Sequence, residues 1–84
     1  VKAGKNFVQH GVQFQEAQTV FDDPLYVDFF DPDHSDDEKR FLRVGQSRAG
    51  RFLVVSYTER RNSVRLISAR EATPRERKDY EQGL

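Results

Sequence analysis

The chain has 84 residues, of which 36% are apolar and 33% charged, with a mean hydropathy of -0.84. Such a length holds one domain, residues 1–84, with a small core. No stretch approaches the roughly 18 apolar residues of a membrane span, and no cysteine is present, which excludes disulfides and thiolate metal sites. The absence of cysteine suits a cytoplasmic setting.

The net charge of zero hides a segregation. Residues 1–38 carry two Lys against nine Asp/Glu, a net of −7, whereas residues 39–84 carry twelve Lys/Arg against five Asp/Glu, a net of +7. This asymmetry points to a nucleic-acid or acidic partner for the basic half. The competing reading is that the two halves neutralise each other within the fold. A domain this small without disulfides is also expected to gain stability from a partner or from self-association.

In chain order, a short helix is expected over Ala3 to His10, stopped by Gly11. A second helix is expected from Gln13 to Asp22, because Phe14, Ala17, Val20 and Phe21 share one face. Asp22-Asp23-Pro24 ends it, since a residue before proline avoids the helical region. Leu25 to Phe30 reads as a strand and residues 31–37 as an acidic loop. Lys39 to Ser47 is the next strand, followed by a tight turn at Arg48-Ala49-Gly50. Phe52 to Glu59 and Ser63 to Arg70 form a hairpin through Arg60-Arg61-Asn62, with Asn62 the residue tolerant of positive φ. Thr73-Pro74-Arg75-Glu76 has the residue order of a capping box and starts the last helix.

The expected fold is therefore α+β. A meandering antiparallel sheet of about four strands would carry two N-terminal helices and one C-terminal helix. A regular hairpin ladder would pair Glu59 with Val64, Tyr57 with Leu66, Val55 with Ser68 and Leu53 with Arg70. Its other face would pair Thr58 with Arg65, Ser56 with Ile67 and Val54 with Ala69. In that register Arg65 and Arg70 point to opposite faces, so a site using both needs a bulge or a strand end.

Several motifs resemble a known family. They are His10-Gly11-Val12 with Phe14, Glu16 and Ala17, and Asp31-Pro32-Asp33-His34-Ser35 with Glu38, Arg40 and Phe41. Thr58-Glu59-Arg60, Arg65, Ile67-Ser68-Ala69-Arg70, Ala72-Thr73, Glu76 and Tyr80 continue the pattern. In order and spacing these are similar to the BrnT toxin family, from Lys2 to about Glu81. The resemblance implies a RelE-like fold and a metal-independent RNA endonuclease that inhibits translation. It implies the toxin of a type II toxin–antitoxin pair, needing no cofactor. The implied partner is a ribbon-helix-helix antitoxin, through which alone DNA is contacted. Two departures stand out. The resemblance leads one to expect that the family's opening aromatic-acidic strand is lacking before Lys2, which would leave a sheet edge open to homo-oligomers, and Gln9 stands where the family has Lys.

Metal-independent cleavage of RNA must deprotonate a 2′-hydroxyl, stabilise a phosphorane and protonate a 5′ oxygen. Arginine meets the second need with bidentate, permanently charged contacts, and a carboxylate or histidine meets the proton transfers. Glu59, Arg65 and Arg70 are the catalytic candidates, with Glu59 as base. Arg60, Arg75, Arg77, Lys78 and Tyr80 are the RNA-binding candidates, Tyr80 either stacking on a base or anchoring the helix. His10 reads as a helix cap, and His34 as a loop or partner contact rather than a metal ligand. Two further functions fit the same cationic half: a non-enzymatic nucleic-acid-binding module, and an antitoxin-binding module. Cleavage products would single out the enzyme.

Overall fold

The fold is that of a computed structural model, which describes residues 7–9, 11–32 and 38–83. Strands β1 (Phe7–Gln9) and β2 (Val12–Gln13) form a small antiparallel hairpin. Helix α1 (Phe14–Thr19) follows and tightens into a 3-10 turn at Val20–Asp22. Then come β3 (Val27–Asp31), β4 (Arg40–Gln46), β5 (Phe52–Arg60), β6 (Ser63–Glu71) and helix α2 (Pro74–Gln82). The last four strands make one antiparallel meander in the order β3-β4-β5-β6. The class is α+β, with one helix before the sheet and one after it.

The first expected helix is corrected: Phe7–Gln9 is a strand paired with β2, while residues 3–6 and 10 lie outside the described residues. Gly11 sits at φ +77°, so it serves a hairpin turn instead of a helix stop. Both helix and turn need a residue without a Cβ penalty there, and the sequence alone did not separate them. A second correction lies in the β5–β6 turn, where Arg61, not Asn62, takes the positive φ, at 44°.

The core lies on one face of the meander. Ala17 and Val20 from the α1 segment pack with Val12 on Leu53, Val55 and Ala69, and Phe21 and Leu66 close its margin. On the same face Phe41 stacks on Tyr57 at 5.5 Å, and Phe21 and Phe30 approach edge-on to Tyr57 and Phe41. Tyr57 is buried, as its pairing with Leu66 requires. Asp23 ties the segment after α1 to the sheet. Its carboxylate accepts the Leu25 N–H, the Gln46 N–H and the Tyr80 hydroxyl. Burial pushes that carboxyl up, but these three donors outweigh it and hold its pKa below the usual range.

The segregated charges largely meet inside the molecule. Asp28 takes a bidentate pair from Arg43, Glu16 pairs with Arg51, Asp22 with Arg48 and Glu38 with Arg60. Each pair joins the acidic first part of the chain to the basic second part. Arg51 also reaches Glu71 and raises its own pKa through the Glu16 contact above all.

A close approach sets one testable constraint. A Cβ on Gly45 would lie 2.8 Å from Val20 Cγ1. Gly45→Ala is expected to destabilise the fold by about 1–3 kcal/mol through overpacking. Adding Val20→Ala should recover part of what Gly45→Ala alone loses. Urea denaturation of both variants measures the coupling, and strict additivity would show that the two groups do not meet.

Candidate nucleic-acid interface

One irregularity decides which face of the last hairpin carries Arg70. From Arg60 opposite Ser63 to Tyr57 opposite Leu66, the β5–β6 ladder has the expected register. One extra residue, Ile67, then interrupts it, and pairing resumes at Ser56 opposite Ser68, Val55 opposite Ala69, Val54 opposite Arg70 and Leu53 opposite Glu71. The regular register expected for this half of the hairpin is corrected by one residue. The cause is packing. Leu66 and Ala69 both belong to the core face, and three residues of unbroken strand would place them on opposite faces.

The bulge turns Arg70 to the face that carries Arg65. Since side chains alternate along each strand, this second face is read in cross-strand rows. One row is Asp31, Arg40, Thr58 and Arg65; the next is Phe29, Leu42, Ser56 and Ser68; the third is Val27, Val44, Val54 and Arg70. In the third row the three valines are buried. Next to it α2 lies over β4, with Tyr80 packed edge-on to Phe52 at 5.2 Å. The first two rows are more open: Arg65 is exposed, and Leu42, Ser56 and Ser68 are half-buried.

At the hairpin end of this surface a carboxylate stands between two guanidiniums. Glu38 accepts from Arg60 Nη2 at 3.0 Å and lies 4.0 Å from Arg65 Nη1. The arginine side chains are 52% and 60% exposed. Such exposed pairs contribute only about 0–1 kcal/mol, so a phosphate can displace them. Glu38, Arg60, Arg61, Asn62 and Ser63 line an open depression here of ≈ 670 Å³.

The sequence-derived candidates divide. Arg60 lines this depression and Arg65 stands beside it across Glu38, but Glu59 belongs to the other face, opposite Val64. Arg70 is held by two bonds to Glu76, each 2.8 Å. Glu76 also accepts the Thr73 N–H at 2.8 Å and donates its own N–H to Thr73 Oγ1, which completes the capping box. Tyr80 donates to Asp23 and packs on Phe52, so it anchors α2; burial, then the Asp23 carboxylate, pushes its pKa up to about 12. Arg77 lies over the Phe52 ring and pairs with Glu81. Arg75 and Lys78 are exposed, with no ion-pair partner among the described residues. His10 and His34 lie outside the described residues.

Two residues had no site role in the sequence reading. Glu38 follows from extending the β4–β5 register, since Arg40 faces Thr58 and two steps further Glu38 meets Arg60. Arg43 faces Asp28 across β3 and β4, donates to its carboxylate, which also accepts the Tyr57 hydroxyl, and lies 3.7 Å above the Tyr26 ring. Pairing the two strands on paper would have brought Asp28 and Arg43 together. The Asp28 bonds raise the Arg43 pKa, so this cation is fixed in the structure.

A family profile described as a ribonuclease toxin, BrnT, of a type II toxin–antitoxin system matches residues 1–76. The chain belongs to that family. Membership brings with it an antitoxin as partner. The matched stretch includes Glu38, Arg60, Arg65, Arg70 and Glu76 and stops before Arg77, Lys78 and Tyr80. No curated protein matches the chain. Among the described residues no helix is long and apolar enough to cross a membrane.

The Arg70–Glu76 pair makes stability depend on pH. The Arg70 guanidinium, opposed by burial and aided by the Thr73 N–H, holds the Glu76 pKa down to about 2 from 4.5. A depressed carboxyl stabilises the fold fully above its unfolded pKa and loses that contribution as pH falls through the folded value. The stability that Glu76 supplies is therefore expected to fall from about pH 4.5 toward pH 2. Glu76→Gln should lower the melting temperature at pH 7 and flatten this acid limb. An unchanged acid limb in thermal scans would show that Glu76 is not the group responsible.

Proposed function

We propose that this chain is a metal-independent RNA endonuclease with a RelE-like fold that stops translation by cutting RNA. Its active surface is the open sheet face at the hairpin end. The observation that carries this reading is Glu38 set between Arg60 and Arg65, beside the depression at that end. In the free protein the carboxylate occupies the two guanidiniums. When a phosphate takes them, Glu38 is released toward the adjacent ribose.

The chemistry then follows from the residue types. Glu38 takes the 2′-hydroxyl proton, the 2′ oxygen bonds to phosphorus, and the phosphorus–5′-oxygen bond breaks. The leaving oxygen takes a proton from solvent, leaving a 2′,3′-cyclic phosphate and a 5′-hydroxyl. Arg65 and Arg60 neutralise the charge that grows on the phosphorane. Arg70, joined to Glu76, positions the sheet face against α2. Glu59 lies on the other face, so Glu38 is the preferred base. Arg75, Arg77 and Lys78 steer the RNA electrostatically. The antitoxin is a ribbon-helix-helix protein, and contact with DNA passes through it. The toxin acts in the cytoplasm.

Cleavage assays on folded variants test the site. Arg65→Ala is expected to lower kcat by about 10²–10³-fold, and Glu38→Gln by about 10²–10⁴-fold. Removing Arg75 and Lys78 together should weaken RNA binding and reduce its salt dependence while leaving kcat in place. Wild-type rates in both Arg65→Ala and Glu38→Gln would remove the site from this face. RNA binding without any cleavage would instead make the chain a non-enzymatic binding module.

A further inference from the structure

The bulge brings together one more pair of groups. Without Ile67 as an extra residue, Ser56 would face Ile67 itself; with it, Ser56 faces Ser68 directly across β5 and β6. Both serines are half-buried, and neither hydroxyl has a hydrogen-bond partner among the described residues. Directly opposed residues hold their Cβ atoms about 5 Å apart. Two hydroxyls at that separation can each donate to a different oxygen of one phosphate.

Their surroundings carry the sign of the ligand. On β6, Arg65 lies in the row on one side of Ser68 and Arg70 in the row on the other, all on the same face. The partners of the two arginines, Thr58 and Val54, stand four residues apart, or about 13 Å along the strand. That spacing exceeds one phosphate and matches roughly two backbone steps of an extended strand of RNA. The hydroxyl pair sits between.

We propose that Ser56 and Ser68 form a phosphate-binding subsite that holds the RNA backbone one step away from the phosphate cleaved at Arg65. This rests on the ribonuclease reading above. The two serines act in binding alone: they donate to non-bridging oxygens of a phosphate that does not react and read no base. Being neutral, they contribute short-range bonds and no counterion release.

The test uses the full chain, an RNA that the wild type cleaves, and the 2′-deoxy analogue of that RNA as an uncleavable probe. Ser56→Ala and Ser68→Ala are each expected to raise KM and the probe Kd about 10-fold, with kcat within threefold of wild type. The salt slope of binding should stay unchanged, whereas Arg65→Ala should flatten it by about one. Ser68→Thr keeps the donor and should keep the affinity. A methylphosphonate placed at the contacted position should weaken binding to wild type about 10-fold and leave the double alanine variant indifferent. A folded double variant that binds and cleaves like an active wild type overturns the subsite while leaving the ribonuclease reading intact. A wild type that neither binds nor cuts RNA overturns both.

Discussion

Between Leu66 and Ser68 the last strand carries one residue more than its partner, and the two-residue alternation of the sheet restarts there. Upstream, Leu66 packs on the α1 side; downstream, Ala69 packs there too. An unbroken strand cannot satisfy both, because it would turn one of these apolar side chains to the other face. The core therefore selects the bulge, and the bulge then assigns every polar residue that follows. Ser68 and Arg70 join Arg65 on the open side, and Glu71 joins the side where Arg51 and Glu16 meet. A packing requirement on one face thus composes the chemistry of the other.

Charge is distributed by the same logic of pairing. The first part of the chain is acidic and the second basic, yet most of the difference is consumed internally. Asp28 and Arg43 are buried enough, and sufficiently surrounded by aromatic rings, to act as a fixed joint between β3 and β4. Glu16 and Arg51 fasten α1 to the start of β5, with Ser47 Oγ donating to the same carboxylate. The Arg51 bonds lead in holding the Glu16 pKa low, against burial. What is left on the surface is local: Arg65 with its loose hold on Glu38, and the exposed cations of the last turn and helix. An interface for an anionic ligand needs only that remainder, not the +7 counted along the sequence.

Features set by neighbours in sequence could be read directly. The capping box at Thr73 and Glu76, the helix face of Ala17 and Val20, and the four strands of the meander follow from local rules and are present. The segment Phe7–Gln9 could not be read that way. Its three residues are compatible with either state, and only pairing with β2 decides for strand. Arg70 was legible as a cation near the site but not as the partner of Glu76, because its face depends on the bulge. Glu38 was visible as a motif residue, yet its role between two arginines appears only once β4 and β5 are in register. The charged residues of this surface were identifiable by type. Which of them share a surface was decided by long-range packing.

The extra residue has an effect on the outside of the sheet as well. In the meander β6 is a terminal strand, and its outward N–H and C=O groups would otherwise run in an even array that another extended chain could copy. A bulge breaks that array near its middle and increases the local twist. The opposite border, β3, is only five residues long and carries Asp28 and Asp31. One border is thus irregular and the other short. Among the described strands, a second extended chain would meet a broken run of backbone at one border and a short run at the other.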